Sequence, residues 1–256
     1  MGLSMRSNFN VSIITVCFNA ESTIEETFLS VFSQKFKNFE YIVKDGSSRD
    51  GTMSIVSKYK KRIATIISSK DKGLYDAMNI AVKKAKGEYI CFLNADDIFK
   101  DAKVLQNISK YLDGKNDLVF GDVEFSYPSE KKKVRISRIA SINELKKGNM
   151  PPHQASFVRR ELLLKNPFNT KYRSSADFDF FCRILQKGII TKKVPLIVAV
   201  MRMGGVSAGS VSYRETEQII KKYFGFVPFV SIKAKHCTFN AAKSIFHILG
   251  LKVHKG

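Results

Sequence analysis

Apolar positions along the first hundred residues fall into two alternating rhythms. Short β-rich runs, VSIITVCF (11–18), FEYIVK (39–44), RIATIIS (62–68) and EYICFL (88–93), are separated by stretches in which apolar residues recur every three or four positions. In TIEETFLSVFSQ, Ile24, Phe28, Val31 and Phe32 keep the spacing of one helix face behind the cap signal Ser22-Thr23. MSIVSKYKK reads as a second helix and LYDAMNIAVKKA (74–85), stopped by Gly87, as a third. Strands that alternate with helices predict βαβ units, an α/β fold class and a central, mostly parallel sheet.

The second half is less regular. DLVFGDVEFSY (117–127) and KKKVRIS (131–137) read as an antiparallel pair of strands. GNMPPHQASFVRREL (148–162) reads as a Pro-Pro turn and then a strand with His153 at its mouth. SSADFDFFCRILQKG (174–188) is a helix with Asp177 in its first turn. GGVSAGSVS (204–212) is a glycine-rich loop, and the chain after it reads as helical, with an amphipathic stretch from Ile232 to Leu249.

In open parallel sheets ligands bind beyond the carboxyl ends of the strands. Asn19-Ala20-Glu21 follows the first strand, Asp45-Gly46-Ser47-Ser48 the second, Lys70-Asp71-Lys72-Gly73 the third and Asn94-Ala95-Asp96-Asp97 the fourth. Four polar loops at one edge predict a site there. Asp96 and Asp97 repel each other and lose hydration at the end of a core strand. A divalent cation, Mn2+ or Mg2+, held jointly with a ligand's phosphates would turn that repulsion into attraction. The other reading is a solvated pair that caps the next helix. Asp45 is either the first residue of an Asp-Gly turn or an acceptor for a nucleobase N–H.

Composition sharpens the picture. The 256 residues, 44% hydrophobic, suffice for a sizeable core. Cys17, Cys91, Cys182 and Cys237 are far apart and suggest neither zinc nor a disulfide framework. MGLSMRSNFN lacks the apolar core of a signal peptide, and no run is long enough to span a membrane, so a cytoplasmic location is expected. Lys and Arg number 43 against 23 Asp and Glu, a net charge of +20, which favours polyanionic partners. No acidic residue follows Glu217, whereas Lys221, Lys222, Lys233, Lys235, Lys243, Lys252 and Lys255 do. That segment is either a solvated basic tail or a surface for an anionic membrane.

Taken in order, ITVCFNAESTIEETFLSVFSQ, VKDGSSRDGT, SSKDKGLYDAMNIAVKKAKGEYICFLNADD and HQASFVRREL…SADFDFFCRIL resemble the family 2 glycosyltransferases, in the branch that builds bacterial surface polysaccharides. The resemblance implies a GT-A, Rossmann-like nucleotide-sugar-binding fold, a donor that is usually a UDP-sugar, a divalent metal and inversion at the anomeric carbon. It assigns Asn19, Glu21, Lys70 and Asp71 to the nucleotide and Asp45 to the uracil ring. Asp96 and Asp97 match the aspartates that bind ribose, metal and diphosphate, and Asp177 matches the catalytic base. Asn94 stands where many members have an aspartate, and Ala176 where many have a glutamate. His153 lies near the donor sugar and acceptor in the resemblance, or else orders the Pro-Pro loop. Arg183 faces the diphosphate or is a solvated charge, and the GGVS loop closes over the donor.

The division expected is a catalytic domain over 1–215, with a nucleotide-binding half (10–100) and an acceptor-binding half (101–215), followed by a basic helical extension over 216–256. The expected enzyme adds one hexose or N-acetylhexosamine to a lipid-diphosphate-linked saccharide at the inner membrane face, because the Q-x-x-R-W segment and spanning helices of processive synthases are missing. A nucleotidyltransferase is the runner-up, without the phosphate-cradling loop it needs. A nucleic-acid-binding protein lacks any recognition signature, so no nucleic acid partner is expected. Glycoside hydrolysis leaves the nucleotide-type loops unexplained.

Overall fold

The computed structural model describes residues 10–126, 132–135, 140–202 and 210–248, with 132–135, 210 and 238–248 described by backbone alone. In chain order the strands are β1 (Val11–Cys17), β2 (Phe39–Asp45), β3 (Thr65–Ser68), β4 (Tyr89–Phe92), β5 (Asp97–Phe99), β6 (Leu118–Ser126), β7 (Lys132–Arg135), β8 (Ser156–Arg159) and β9 (Thr191–Arg202). The helices are α1 (Ile24–Phe32), α2 (Thr52–Lys58), α3 (Leu74–Val82), α4 (Val104–Ile108), α5 (Ile142–Lys146), α6 (Arg160–Lys165), α7 (Ala176–Leu185), α8 (Ser210–Phe224) and α9 (Phe226–Ile248).

The first four strands are parallel, in the order β3–β2–β1–β4. β1 runs in register with β2 from Val11 against Phe39 to Cys17 against Asp45, so the loops after both strands leave at one level. The order reverses between β1 and β4, which opens the crevice where such sheets bind ligands. Every β1 residue is buried. Val11, Ile13 and Cys17 face the core under α1, α2 and α4, while Ile14 and Val16 face the core under α3, α7 and α8. Helices on both faces explain why VSIITVC is an almost unbroken apolar run.

Past β4 the sheet is mixed, in the order β4–β8–β6–β9–β5 with β7 on β6. β8 is antiparallel to β4 and β6, β7 is antiparallel to β6, and β9 is parallel to β6. Antiparallel neighbours need no helical crossover between them. The β6–β9 register breaks around Gly121, opposite Pro195 and Leu196. Proline has no N–H to give the ladder. A Cβ at Gly121 would lie 2.5 Å from the Leu196 carbonyl oxygen, so only glycine fits.

α8 starts at Ser210, so Ser210-Val211-Ser212 are helical although their composition reads as loop; packing against the segment before α7 overrides their turn propensity. The GGVS stretch lies outside the described residues, as do Leu249 and the residues after it. α8 passes residue 216 without a break and buries Ile219 and Ile220 in the core. Gly225, with φ of +85°, turns the chain into α9. α9 folds back on α8: the His236 ring stacks on Tyr213 at 4.3 Å, and Nδ1 of His236 lies 2.8 Å from Glu217. Among the described α9 side chains, Ile232 is the one buried with the core. Among the described residues no helix is long and apolar enough to cross a membrane.

Candidate active site

The loops after β1 and β2 are knitted together. Asp45, fully buried, accepts hydrogen bonds from the Ser47 and Ser48 amides at 3.0 and 3.1 Å and from the Ser48 and Ser68 hydroxyls. Its lone pairs are engaged within the chain, so in this structure Asp45 folds the DGSS loop, with Ser47 in the left-handed region at φ 68°. The Asn19 side-chain oxygen accepts from the Arg49 amide at 2.9 Å, and Glu21 accepts from the Gly51 amide. Asn19 and Glu21 therefore clamp the first loop to the second. Beside them projects Phe18, 62% exposed, against Gly46. The sequence alone gives no reason to single out Phe18, because it simply ends an apolar run.

Lys44 is the hidden support of the third loop. Its ammonium, with no exposed surface, donates to the carbonyls of Asp45 and Ser69 and pairs with Asp71 at 2.7 Å. The other Asp71 oxygen accepts from the Gly73 amide at 3.0 Å, and Gly73, at φ +113°, opens α3. A signal for Lys44 exists in the sequence, since it is the one cation within FEYIVK. Lys70 is exposed at the same edge.

The fourth loop carries the charge. Asp97 is not a helix cap: it begins β5, which pairs antiparallel with β9. This also explains why Ile98 and Phe99 return to apolar character. Burial, and then the neighbouring Asp96, push the Asp97 carboxyl up to about 7, against smaller opposing effects of His153 and of hydrogen bonds to Gln154 and the Arg202 backbone. Three residues earlier, Asn94 donates from Nδ2 to Nε2 of His153 at 3.2 Å, while its Oδ1 is buried without a partner.

From His153 the chain of contacts reaches α7. Nδ1 of His153 lies 3.1 Å from Oδ2 of Asp177. Oδ1 of Asp177 accepts from the Tyr75 hydroxyl and from the Phe178 amide, both at 2.9 Å. With Asp177 ionised, these partners assign the proton of a neutral imidazole to Nδ1. Tyr75, on the first turn of α3, is buried beside a carboxylate, and both effects hold its phenol well above its usual range, so it remains a donor. Behind Asp177 an apolar cavity is lined by Phe92, Phe168, Phe180 and Phe181. Arg183 is not brought to this cluster. Its guanidinium bonds Asp179 at 2.9 Å and the Pro167 carbonyl at 2.7 Å, and Asp179 also receives the Tyr223 hydroxyl, so these groups join α7 to α8.

Among the described residues no group of three His, Cys, Asp or Glu is arranged to hold a metal. The oxygen donors at hand are Asp96, Asp97 and the unpartnered Oδ1 of Asn94. Such a set suits a hard divalent cation that takes its remaining ligands from phosphate oxygens and water. A crowded carboxylate pair, a positioned carboxylate–imidazole pair and an exposed aromatic ring thus share the carboxyl edge of the sheet.

Residues 12–191 match the family model described as glycosyl transferase family 2. The chain is 33% identical over 237 residues to the UDP-Glc:alpha-D-GlcNAc-diphosphoundecaprenol beta-1,3-glucosyltransferase WfaP of Escherichia coli, with 88% of each chain covered. Its fold is similar to that of S. aureus TarS 1-349 in complex with UDP, with a TM-score of 0.68 at 20% identity over 84% of this chain and 65% of that one. It is likewise similar to the mannosyltransferase PcManGT from Pyrobaculum calidifontis in complex with GDP-Man and Mn2+, with a TM-score of 0.65 at 20% identity over 90% of this chain and 70% of that one. The two structures establish the architecture as GT-A, and the extended sequence match carries the activity class: this chain belongs to the family 2 glycosyltransferases.

Proposed function

We propose that this glycosyltransferase is an inverting, metal-dependent enzyme that moves a single hexose or N-acetylhexosamine from a UDP-sugar to a hydroxyl of a lipid-diphosphate-linked saccharide. The setting is the synthesis of a bacterial surface polysaccharide such as O-antigen or capsule. The observation that carries this reading is Asp177, a buried carboxylate fixed by Tyr75 and His153 and linked through Asn94 to the Asp96–Asp97 turn. A UDP donor is supported by WfaP, whose name specifies UDP-Glc, and by the UDP held by TarS. The exposed Phe18 ring offers a stacking face for the base, and the loop built on Asp45 offers its edge.

In this reading an acceptor hydroxyl meets Asp177, which takes its proton as the oxygen attacks the anomeric carbon. The bond from that carbon to the diphosphate breaks on the opposite face, and the electron pair leaves with the diphosphate. A single displacement inverts the configuration. Asp96 and Asp97 would hold a divalent ion, Mn2+ or Mg2+, that supplies charge stabilisation to the leaving diphosphate. Tyr75 and His153 keep the carboxylate aimed, which is positioning rather than proton transfer. The acceptor lipid would place the protein as a peripheral enzyme at the anionic cytoplasmic face of a membrane, in keeping with its net charge of +20.

The test is a panel of nucleotide sugars with a lipid-linked acceptor, read by mass spectrometry for the parent and for Asp177→Asn. Addition of one sugar by the parent, its loss in the variant and UDP affinity retained within about threefold are expected, because the amide is nearly isosteric but cannot take the proton. Near-parental turnover in Asp177→Asn would remove the base from the mechanism.

A further inference from the structure

Over residues 226–237, where its side chains are described, α9 is apolar on two faces, and one of them is buried. Phe229, Ile232 and His236 turn towards the rest of the fold, with Ile232 only 4% exposed. Phe226, Val227, Val230, Ala234 and Cys237 are all exposed. At roughly 100° per residue these five fall in one stripe about 100° wide. Phe226 and Val227 are 65% and 80% exposed, and both sit at the elbow made by Gly225. Burial in the fold therefore accounts for one apolar face and not for the other.

One border of the stripe, between it and the inner face that holds Phe229, is basic: Lys233 falls there at helical spacing, with Lys221 of α8 beside it. The ammonium groups of Lys221 and Lys233 lie 5.3 and 5.7 Å from the centre of the Phe229 ring. No acidic residue follows Glu217 in the chain. A second copy of this face would set lysines against lysines, whereas anionic lipid headgroups complement them. An exposed apolar stripe with a cationic rim is the pattern of a helix that lies in a membrane interface.

From this geometry we infer that the elbow between α8 and α9, with the outer stripe of α9, is the surface by which the enzyme docks on an anionic bilayer. The inference rests on the proposed lipid-linked acceptor and names the part of the chain that meets the membrane. It also sets an orientation. Lys222 and Tyr223, next to the elbow, contact Asp179, two residues from Asp177. Glu215, nearer the start of α8, accepts from the amides of Arg173, Ser174 and Ser175 just ahead of α7. The docking surface and the catalytic carboxylate therefore belong to one packed unit, and a docked elbow fixes Asp177 relative to the lipid.

The experiment uses the full chain with vesicles of phosphatidylcholine alone or mixed with phosphatidylglycerol, at low and high salt. The parent is expected to sediment with the anionic vesicles and to be released by salt. Phe226→Ser combined with Val227→Ser should weaken that partition about tenfold or more, while UDP affinity measured by calorimetry stays within about twofold, since both side chains are exposed. The chain has no tryptophan, so Val227→Trp gives a single reporter whose emission should shift to the blue on anionic vesicles alone. Equal partition of parent and double serine variant, or an unshifted reporter on vesicles that bind the protein, overturns the assignment. So does a parent dimer that the serine variant dissociates. Absence of UDP binding by the parent counts instead against the proposed function and leaves the vesicle result to be read independently.

Discussion

Tyr75 and His153 each hold one oxygen of Asp177, at 2.9 and 3.1 Å. Removing the phenol hydroxyl deletes one hydrogen bond to a charged group, worth about 1.5–3 kcal/mol. Tyr75→Phe should therefore lower kcat about tenfold or more, while KM for the donor stays within about threefold, because in the proposed mechanism the hydroxyl acts on the base and not on the nucleotide. Steady-state kinetics with a lipid-linked acceptor check this. Asp97 gives a prediction in pH. An unfolded aspartate titrates near 4, and the folded group is raised to about 7, so the fold without a bound cation holds this proton more tightly and loses stability as pH rises between these values. A cation at Asp96 and Asp97 must displace the same proton. Its affinity should climb with pH up to about 7 and then level, with close to one proton released per ion at lower pH, as calorimetry in buffers of different ionisation enthalpy would show. The Asp96–Asp97 pair stands out in the sequence because it ends an apolar strand, whereas Asp177 and His153 are singled out by the motifs that resemble the family. Tyr75 is not, because at its spacing it looks like a core aromatic of α3. Nor does the sequence tell that Asp45, Asn19 and Glu21 spend their side chains on neighbouring loops, since partner choice depends on the register of β1 and β2.

The elements up to β4 are legible because buried parallel strands and one-sided helices leave different apolar periods, and glycine or aspartate marks the turns. β5 escapes because three residues carry no period and its pairing with β9 is far away in sequence. In β9 the register break and Pro195 interrupt the pattern of a twelve-residue strand. For the C-terminal helix the sequence predicts an amphipathic stretch from Ile232 to Leu249, most of whose side chains lie outside those described. The described side chains show two apolar faces, of which Ile232 anchors the inner one. Ile232→Ala should cost about 2–4 kcal/mol by opening a cavity in that contact. A lower midpoint in urea with unchanged UDP affinity is the expected result. An unchanged midpoint would mean that α9 contributes little to the folded unit.

At the scale of the molecule, the two halves read from the sequence meet where Tyr75 of the first bonds Asp177 of the second, across 102 positions. A contact of that range leaves no local pattern in the sequence. The charge of +20 is equally plain in composition, yet its placement beside an apolar stripe needs the fold. Glu215 carries a consequence for how such enzymes are recombined. Its carboxylate receives the amides of Arg173, Ser174 and Ser175, so α8 closes the entrance to the helix that bears Asp177. A chimera joined between α7 and α8 would pair one parent's α7 with another parent's cap, leaving these amides to find a foreign acceptor. Exchange of segments between relatives therefore has to take residues 173–175 and Glu215 from the same parent.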